Sequence, residues 1–544
     1  MASPLKSFVH PKEQLFDLRR NFGEYMLQHL RRHARSKWIN GTSDEAVTYG
    51  EVAEQVEAVR AALWRLGLQA GERILLLSGR RLQLLPAFLG AASAGVASMY
   101  MSPGYGVDIL ADAMRPLSLV ALFCEPCWVQ DALKLQLELP SIKAIIVLDE
   151  LADKPDDASN CVITWSELLK KGRIRNGTPC PSIEYREKQI CYMTSTSGTT
   201  GKAKVVVHYH ESLLAVVQAN SHPAHMNLST DDVALCTTSL GHVYALFDVV
   251  CKAIVQGASV AFVENADDVL EALHTHKVTA LSTTPYTARC ILENDKRKNY
   301  DLSSLKYVTS ATTCINEEVA KALFQELNIE SFIQLYGQSE IPFITAGLYN
   351  APCRFKSIGR LGMGVEAMVR DLETGKPLGP WEQGELVVRS PGLMRGYWGR
   401  LHESVSDSEG WYRTGDLCYY DEDGWLYLVQ RLSDFFCCRG TKVSPVLVET
   451  VLQKCPEVHD CAVVGLPHHE AGHVAHAVVV RKPEARTLGV EHFARFMEAN
   501  APKSFNLEGG ATFVDKIPRN ELGKLVRREL IQWVLKQQEQ AVRN

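Results

Sequence analysis

The chain has 544 residues, more than one hydrophobic core ordinarily serves, so at least two domains are expected. Apolar residues make up 46% and charged residues 22%, which is the composition of a soluble globular protein. A net charge of -5 argues against nucleic acid or an anionic membrane as the main partner, so phosphate chemistry is expected to be local.

The early basic residues Arg31, Arg32 and Arg35 follow Glu13, Asp17 and Glu24, which argues against a transit peptide. No apolar run reaches the roughly 18 residues of a membrane-spanning helix. The last residues, Val542-Arg543-Asn544, do not form a peroxisomal tripeptide. Fifteen cysteines are scattered through apolar runs such as those around Cys191, Cys236, Cys251 and Cys461, so reduced thiols and a cytoplasmic location are expected. Cys124-Glu-Pro-Cys127 has redox-motif spacing, but one such pair among fifteen cysteines is given no role.

From Thr48-Tyr49-Gly50 a helical pattern runs through Val52, Val56, Val59 and Leu63, and Gly71-Glu72-Arg73 then opens the strand Ile74–Leu77. A helix over 82–95, a strand at Ala97–Tyr100, the turn Ser102-Pro103-Gly104-Tyr105 and short apolar strands at 119–123 and 144–148 follow. This alternation predicts an α/β protein whose mostly parallel sheets are covered by helices. Residues 150–187 are polar and turn-rich and read as a surface excursion.

Next comes Thr194-Ser195-Thr196-Ser197-Gly198-Thr199-Thr200-Gly201-Lys202-Ala203-Lys204, between the apolar run Ile190–Met193 and the β-branched run Val205–Val207. Strand, loop, strand is the predicted local fold. Two glycines free backbone N–H groups to face an anion, the hydroxyls add donors and the lysines add charge, which makes a polyphosphate cradle. It is not a Walker A loop, since only Thr199 and Thr200 separate Gly198 from Gly201. The stretch resembles the Thr-Ser-Gly-Thr-Thr-Gly-x-Pro-Lys-Gly signature of the acyl-adenylate-forming (AMP-binding) superfamily, which includes acyl- and aryl-CoA ligases, beetle luciferases and peptide-synthetase adenylation domains. Ala203 and Val205 replace that signature's proline and final glycine.

The resemblance continues to Arg528. His242, in Ser239-Leu240-Gly241-His242-Val243-Tyr244-Ala245-Leu246, matches the Phe-His-x-Tyr-Ala-Leu element of plant aryl-CoA ligases, where the histidine borders and gates the acyl pocket. A helix from there to Gly257 would set Tyr244 and Asp248 one turn apart, both facing that pocket and suiting a hydroxylated or amine-bearing acid. Residues 305–314 match relatives poorly. Gln334-Leu335-Tyr336-Gly337-Gln338-Ser339-Glu340 resembles Tyr-Gly-x-Thr-Glu: an aromatic face for adenine, a glycine for close approach, and a hydroxyl and carboxylate for Mg²⁺ and phosphate. Trp411-Tyr412-Arg413-Thr414-Gly415-Asp416 matches the element whose aspartate takes both ribose hydroxyls.

Arg431-Leu432-Ser433-Asp434 lies where relatives carry the hinge of a small mobile domain, which implies a large domain over 1–432 and a small α+β domain over 433–544. His469-Glu470-Ala471-Gly472-His473 has zinc-protease spacing, but Pro467 and Gly472 oppose the helix that chemistry needs. Pro518 to Arg527 matches Pro-x-x-x-x-Gly-Lys-x-x-Arg, whose lysine, here Lys524, bridges the acyl carboxylate and the α-phosphate.

The resemblance therefore implies ATP- and Mg²⁺-dependent activation of a small carboxylic acid, with CoA as acceptor. Lys524, His242 and Lys204 are the catalytic candidates. Thr196, Ser197, Gly198, Thr199, Thr200, Gly201, Lys202, Gln334, Tyr336, Gly337, Ser339, Asp416 and Arg431 are the nucleotide candidates, and Glu340 with Thr199 the Mg²⁺ candidates. A luciferase-like or stand-alone adenylating enzyme, or a nucleotide-binding regulator with degraded catalysis, are the alternatives. The departures at Ser433 and at Cys437, where relatives commonly have lysine, predict a slow thioester step with Arg439 as the only nearby cation.

Overall fold

A computed structural model describes residues 5–6, 16–101, 105–152, 161–173, 185–196, 204–349, 351–519 and 525–543. The phosphate-loop residues Ser197, Gly198, Thr199, Thr200, Gly201, Lys202 and Ala203, the turn residues 102–104, and Lys524 lie outside these described residues. The chain divides into two compact units, one of residues 1–368, 387–413 and 420–427, the other of 369–386, 414–419 and 428–544.

Two large sheets organise the first unit. One has eight strands in the order 396–397, 204–209, 190–196, 97–101, 73–77, 121–124, 144–147, 162–164. Its strands are parallel from 190–196 onward, with 204–209 and 396–397 added antiparallel at one edge. The other has nine strands in the order 360–361, 345–346, 331–336, 307–310, 280–283, 233–236, 259–262, 37–40, 46–48, parallel in its interior and antiparallel at both ends. The α/β architecture read from the alternation is the observed one.

Local sequence explains several of these elements. Helix Tyr49–Arg65 starts at a capping box: Glu51 N–H donates to Thr48 Oγ1 at 3.2 Å while Thr48 N–H donates to Glu51 Oε2 at 2.7 Å. Helix Leu84–Ser93 has no polar face because all of its residues are buried. The core joins both sheets through the helices, with Phe22, Phe88, Tyr192 and Phe247 meeting edge-on or tilted at ring separations of 5.2 to 6.2 Å.

The surface excursion expected over 150–187 is corrected in part. Val162–Thr164 forms the last strand of the eight-stranded sheet, and helix Trp165–Arg173 follows it with Trp165, Leu168 and Leu169 buried. The strand is short and its flanks are polar, so its apolar pattern was diluted below recognition.

In the second unit, strands 441–443, 436–438, 472–481 and 458–468 form an antiparallel sheet, with 511–513 added parallel to 472–481. Its core holds Val448, Leu452, Val463, Val478, Phe493 and Val534. His469-Glu470-Ala471 connects strands 458–468 and 472–481, with Gly472 and His473 already in the second strand and His473 opposite Pro467, so this stretch is a hairpin and not the helix that the zinc geometry needs. A further sheet has the strand order 5–6, 366–370, 384–389, 412–420, 426–431. Among the described residues no helix is long and apolar enough to cross a membrane.

Candidate active site

The hairpin expected around the phosphate loop is present, with strand Ile190–Thr196 antiparallel to Lys204–Tyr209 and Thr196 directly opposite Lys204. Both ends of the loop are thereby fixed a strand-spacing apart. Residues 394–398 run beside the second strand, with Arg395 N–H donating to Val207 O and Trp398 N–H to Val205 O, both at 2.8 Å. Lys204 Nζ lies 4.9 Å from the centre of the Tyr397 ring.

The Tyr336–Glu340 turn follows a strand whose partners are parallel on one side, at the carboxyl end where open α/β sheets bind ligands. A Cβ on Gly337 would lie 2.0 Å from Pro342 O, so only glycine permits the chain to fold back there. Gln338 and Ile341 exchange backbone hydrogen bonds at 2.8 and 3.1 Å across Ser339-Glu340.

Three clamps hold that turn. Tyr397 hydroxyl donates to Glu340 Oε1 at 2.8 Å, Met394 N–H donates to Glu340 O at 2.7 Å, and His208 Nε2 donates to Ser339 O at 2.7 Å. Lys204, Tyr397, Glu340, Ser339 and His208 thus form one connected group inside the first unit. Neither Tyr397 nor His208 is among the residues that the sequence singles out, because each reaches the turn only through the fold. Gln334 is buried, its Nε2 donating to Ser357 O at 3.0 Å and its Oε1 accepting from Ile315 N–H at 3.1 Å, so it braces the strand beneath the turn.

Burial pushes His208 and His210 down from the ordinary histidine value to about 4. Between pH 6.5 and 4 the unfolded chain then binds more protons than the folded one, so stability falls as pH falls through that window. At pH 5 each should cost about 2 kcal/mol, and thermal unfolding at pH 7 and pH 5 should show a drop in Tm that His208→Gln lessens.

His242 sits half-buried at the start of the helix that ends at Gly257, and its Nδ1 accepts from Tyr244 N–H at 3.3 Å. Gly241 is held against Tyr100, whose ring a Cβ would meet at 1.5 Å, and its carbonyl accepts from Tyr192 hydroxyl at 2.8 Å. The expectation for Tyr244 and Asp248 is corrected. Tyr244–Cys251 winds as a π-helix, whose bonds skip five residues, so the two side chains are not stacked one α-turn apart. Tyr244 hydroxyl pairs with Thr309 Oγ1 at 2.8 Å, and the buried Asp248 carboxylate accepts from Asn220 Nδ2 at 2.8 Å with buried Lys252 close enough to attract it. Burial pushes the Asp248 carboxyl up and the Lys252 ammonium down to about 8. The carboxylate has protein partners, so it makes no demand for a polar substrate.

In the second unit Asp416 is 1% exposed and lies within strand Tyr412–Tyr420, not in a turn. Gly415, at φ +71°, breaks the strand's regularity just before it. Thr414 Oγ1 donates to Leu386 O at 2.7 Å and accepts from Asp416 N–H at 3.2 Å, and Arg431 Nε lies 3.1 Å from Asp416 Oδ1. The structure therefore brings Asp416 and Arg431 together.

The sequence profile of the AMP-binding enzymes matches residues 28–398, and that of the AMP-binding enzyme C-terminal domain matches 447–524. The chain belongs to the AMP-binding enzyme family. This is the acyl-adenylate-forming superfamily that its motifs resemble. A probable CoA ligase, CCL5, of Humulus lupulus is 29% identical to this AMP-binding enzyme over 513 residues, covering 92% of this chain and 90% of its own. Luciferin 4-monooxygenase of Photinus pyralis is 28% identical over 497 residues, covering 90% and 89%. Among solved structures, the anthranilate CoA ligase AuaEII in complex with anthranoyl-AMP superposes with a TM-score of 0.82 at 20% identity, over 96% of this chain and 99% of that one, a likeness of fold.

Proposed function

We propose that this AMP-binding enzyme activates a carboxylic acid with ATP and passes the acyl group to CoA. The observation that carries the reading is the Ser339-Glu340 turn, clamped by His208 and Tyr397 beside the hairpin whose loop has the composition of a phosphate cradle. A carboxylate oxygen attacks the α-phosphorus and pyrophosphate leaves; the CoA sulfur then attacks the acyl carbon, AMP leaves and the thiol proton passes to solvent.

Each residue has a task in this scheme. Thr196 to Lys204 cradle the phosphates, Tyr336 faces adenine, Gly337 admits it, and Asp416 with Arg431 takes the ribose. Tyr397 occupies one side of the Glu340 carboxylate through Oε1, and a hard oxygen donor of this kind suits Mg²⁺. Glu340 and Thr199 would hold that ion, which would neutralise phosphate charge. Lys524 neutralises the charge that builds as the carboxylate approaches, and His242 borders the acid. The hinge at Arg431-Leu432-Ser433-Asp434, between a large domain over 1–432 and a small one over 433–544, belongs to the same proposal. Pyrophosphate exchange across a panel of acids, followed by CoA consumption, tests it.

An adenylating enzyme with weak CoA transfer is the second reading, and Cys437 is the observation that favours it. Here the expected cation needs correction. Arg439 is already paired with Glu508 at 2.9 Å, whereas Lys442 lies directly across the hairpin from Cys437, on the same exposed face. A cross-strand partner is invisible to a reading that scans only neighbours along the chain. Lys442→Ala should slow thioester formation at least about tenfold, roughly 1.4 kcal/mol, and leave adenylation unchanged. Cys437→Lys in that background should restore the rate. Single-turnover reaction of preformed acyl-AMP with CoA measures both, and an unaltered rate in Lys442→Ala removes this role.

A further inference from the structure

The second unit carries a group of ligand-type side chains that the proposed reaction does not use. Cys455 and Glu457 lie in the connection between helix Pro445–Leu452 and strand Val458–His468, and His492 lies in the first turn of helix Val490–Asn500. The Cys455 thiol donates to Glu457 Oε2 at 3.0 Å, and His492 Nε2 is 3.3 Å from the same oxygen. Their three ligand atoms all lie within 4.8 Å of one another, the only such group of histidine, cysteine and carboxylate side chains among the described residues.

We propose that Cys455, Glu457 and His492 bind one Zn²⁺, with water completing the shell. Zn–S near 2.3 Å and Zn–N and Zn–O near 2.1 Å place tetrahedral ligand atoms about 3.3 to 3.6 Å apart, so the nitrogen–oxygen pair at 3.3 Å already fits and the sulfur–oxygen pair at 3.0 Å must open to admit the ion. A thiolate with an imidazole selects Zn²⁺ over Mg²⁺ or Ca²⁺, which take oxygen ligands. Cys455 is 1% exposed while the Glu457 and His492 side chains are 30% and 38% exposed, so the ion has an entry path and an outward position for water. The Lys482 backbone N–H donates to Glu457 O at 2.9 Å and so fixes the connection that carries two of the three ligands. Binding exchanges the thiol proton for the metal, the proton passing to solvent. The ion would tie helix Val490–Asn500 to the start of strand Val458–His468.

The test titrates the full-length protein with Co²⁺ as a spectroscopic stand-in. One equivalent should give a thiolate-to-metal charge-transfer band, displaced by one equivalent of Zn²⁺. Loss of an outer-shell partner typically costs 10- to 100-fold, so removal of a direct ligand in His492→Ala or Glu457→Gln should weaken binding at least about 100-fold. Cys455→Ser should abolish the band, Cys437→Ser should leave it intact, and adenylation by His492→Ala should match wild type. No band in the wild type, or a band of undiminished affinity in His492→Ala, overturns the proposal. His492 is partly exposed on a helix, so its variant decides the matter even where Cys455→Ser fails to fold.

Discussion

Lys524→Ala should lower the rate of acyl-AMP formation by about 10²- to 10³-fold while leaving ATP affinity within about twofold, because its charge is needed where charge develops in the transition state. The measurement pairs single-turnover adenylation with equilibrium nucleotide binding. Equal losses in both would mean that the lysine binds ground-state ATP and nothing more. Lys524 itself lies outside the described residues, so its role rests on the Pro518–Arg527 motif. The chain just beyond it is anchored, however: Arg527, the first residue of helix Arg527–Arg543, donates from Nη1 and Nη2 to the Glu449 carboxylate at 2.6 and 3.0 Å.

That anchor should give the largest stability effect in the second unit. Glu449 also accepts from Val463 N–H at 2.7 Å, and Arg527 Nε is 3.4 Å from Asp434, with the Arg527 and Glu449 side chains only 15% and 13% exposed. Glu449→Ala would leave a mostly buried guanidinium short of its main partner, at a cost of about 3 kcal/mol. Amide hydrogen exchange in strands 458–468 and 472–481 should accelerate by more than about 100-fold, since about 1.4 kcal/mol corresponds to tenfold. Exchange unchanged there would show that the pair is dispensable. Glu449→Gln, which keeps an acceptor for Val463, should fall between the two.

The features legible in the sequence are those with local causes. Helix Tyr49–Arg65 follows from a capping box and an apolar stripe, and the hairpin around the phosphate loop from two apolar runs flanking glycine and hydroxyls. His469–His473 reads as a hairpin because proline and glycine forbid the competing helix. The π-helix over Tyr244–Cys251 carries no such local signal; its Phe247 packs against Phe22 and Tyr192 and its Asp248 pairs with Asn220, contacts contributed by distant segments. The same holds for the site. Tyr336, Gly337 and Glu340 announced themselves as a motif, whereas the contacts that position them come from residues 57 and 131 positions away along the chain, Tyr397 on Glu340 and His208 on Ser339. Lys442 opposite Cys437 is likewise a property of strand pairing.

Acid-dependent exchange of pyrophosphate into ATP tests the central claim most directly, because it requires nucleotide binding, carboxylate attack and reversal, and nothing of CoA. With a panel running from short aliphatic to long-chain and aromatic acids, the account predicts exchange that depends on at least one acid and falls by about 10² or more in Lys524→Ala. ATP binding of ordinary affinity with no acid-stimulated exchange from any member of the panel would contradict it and leave a nucleotide-binding protein without adenylation chemistry.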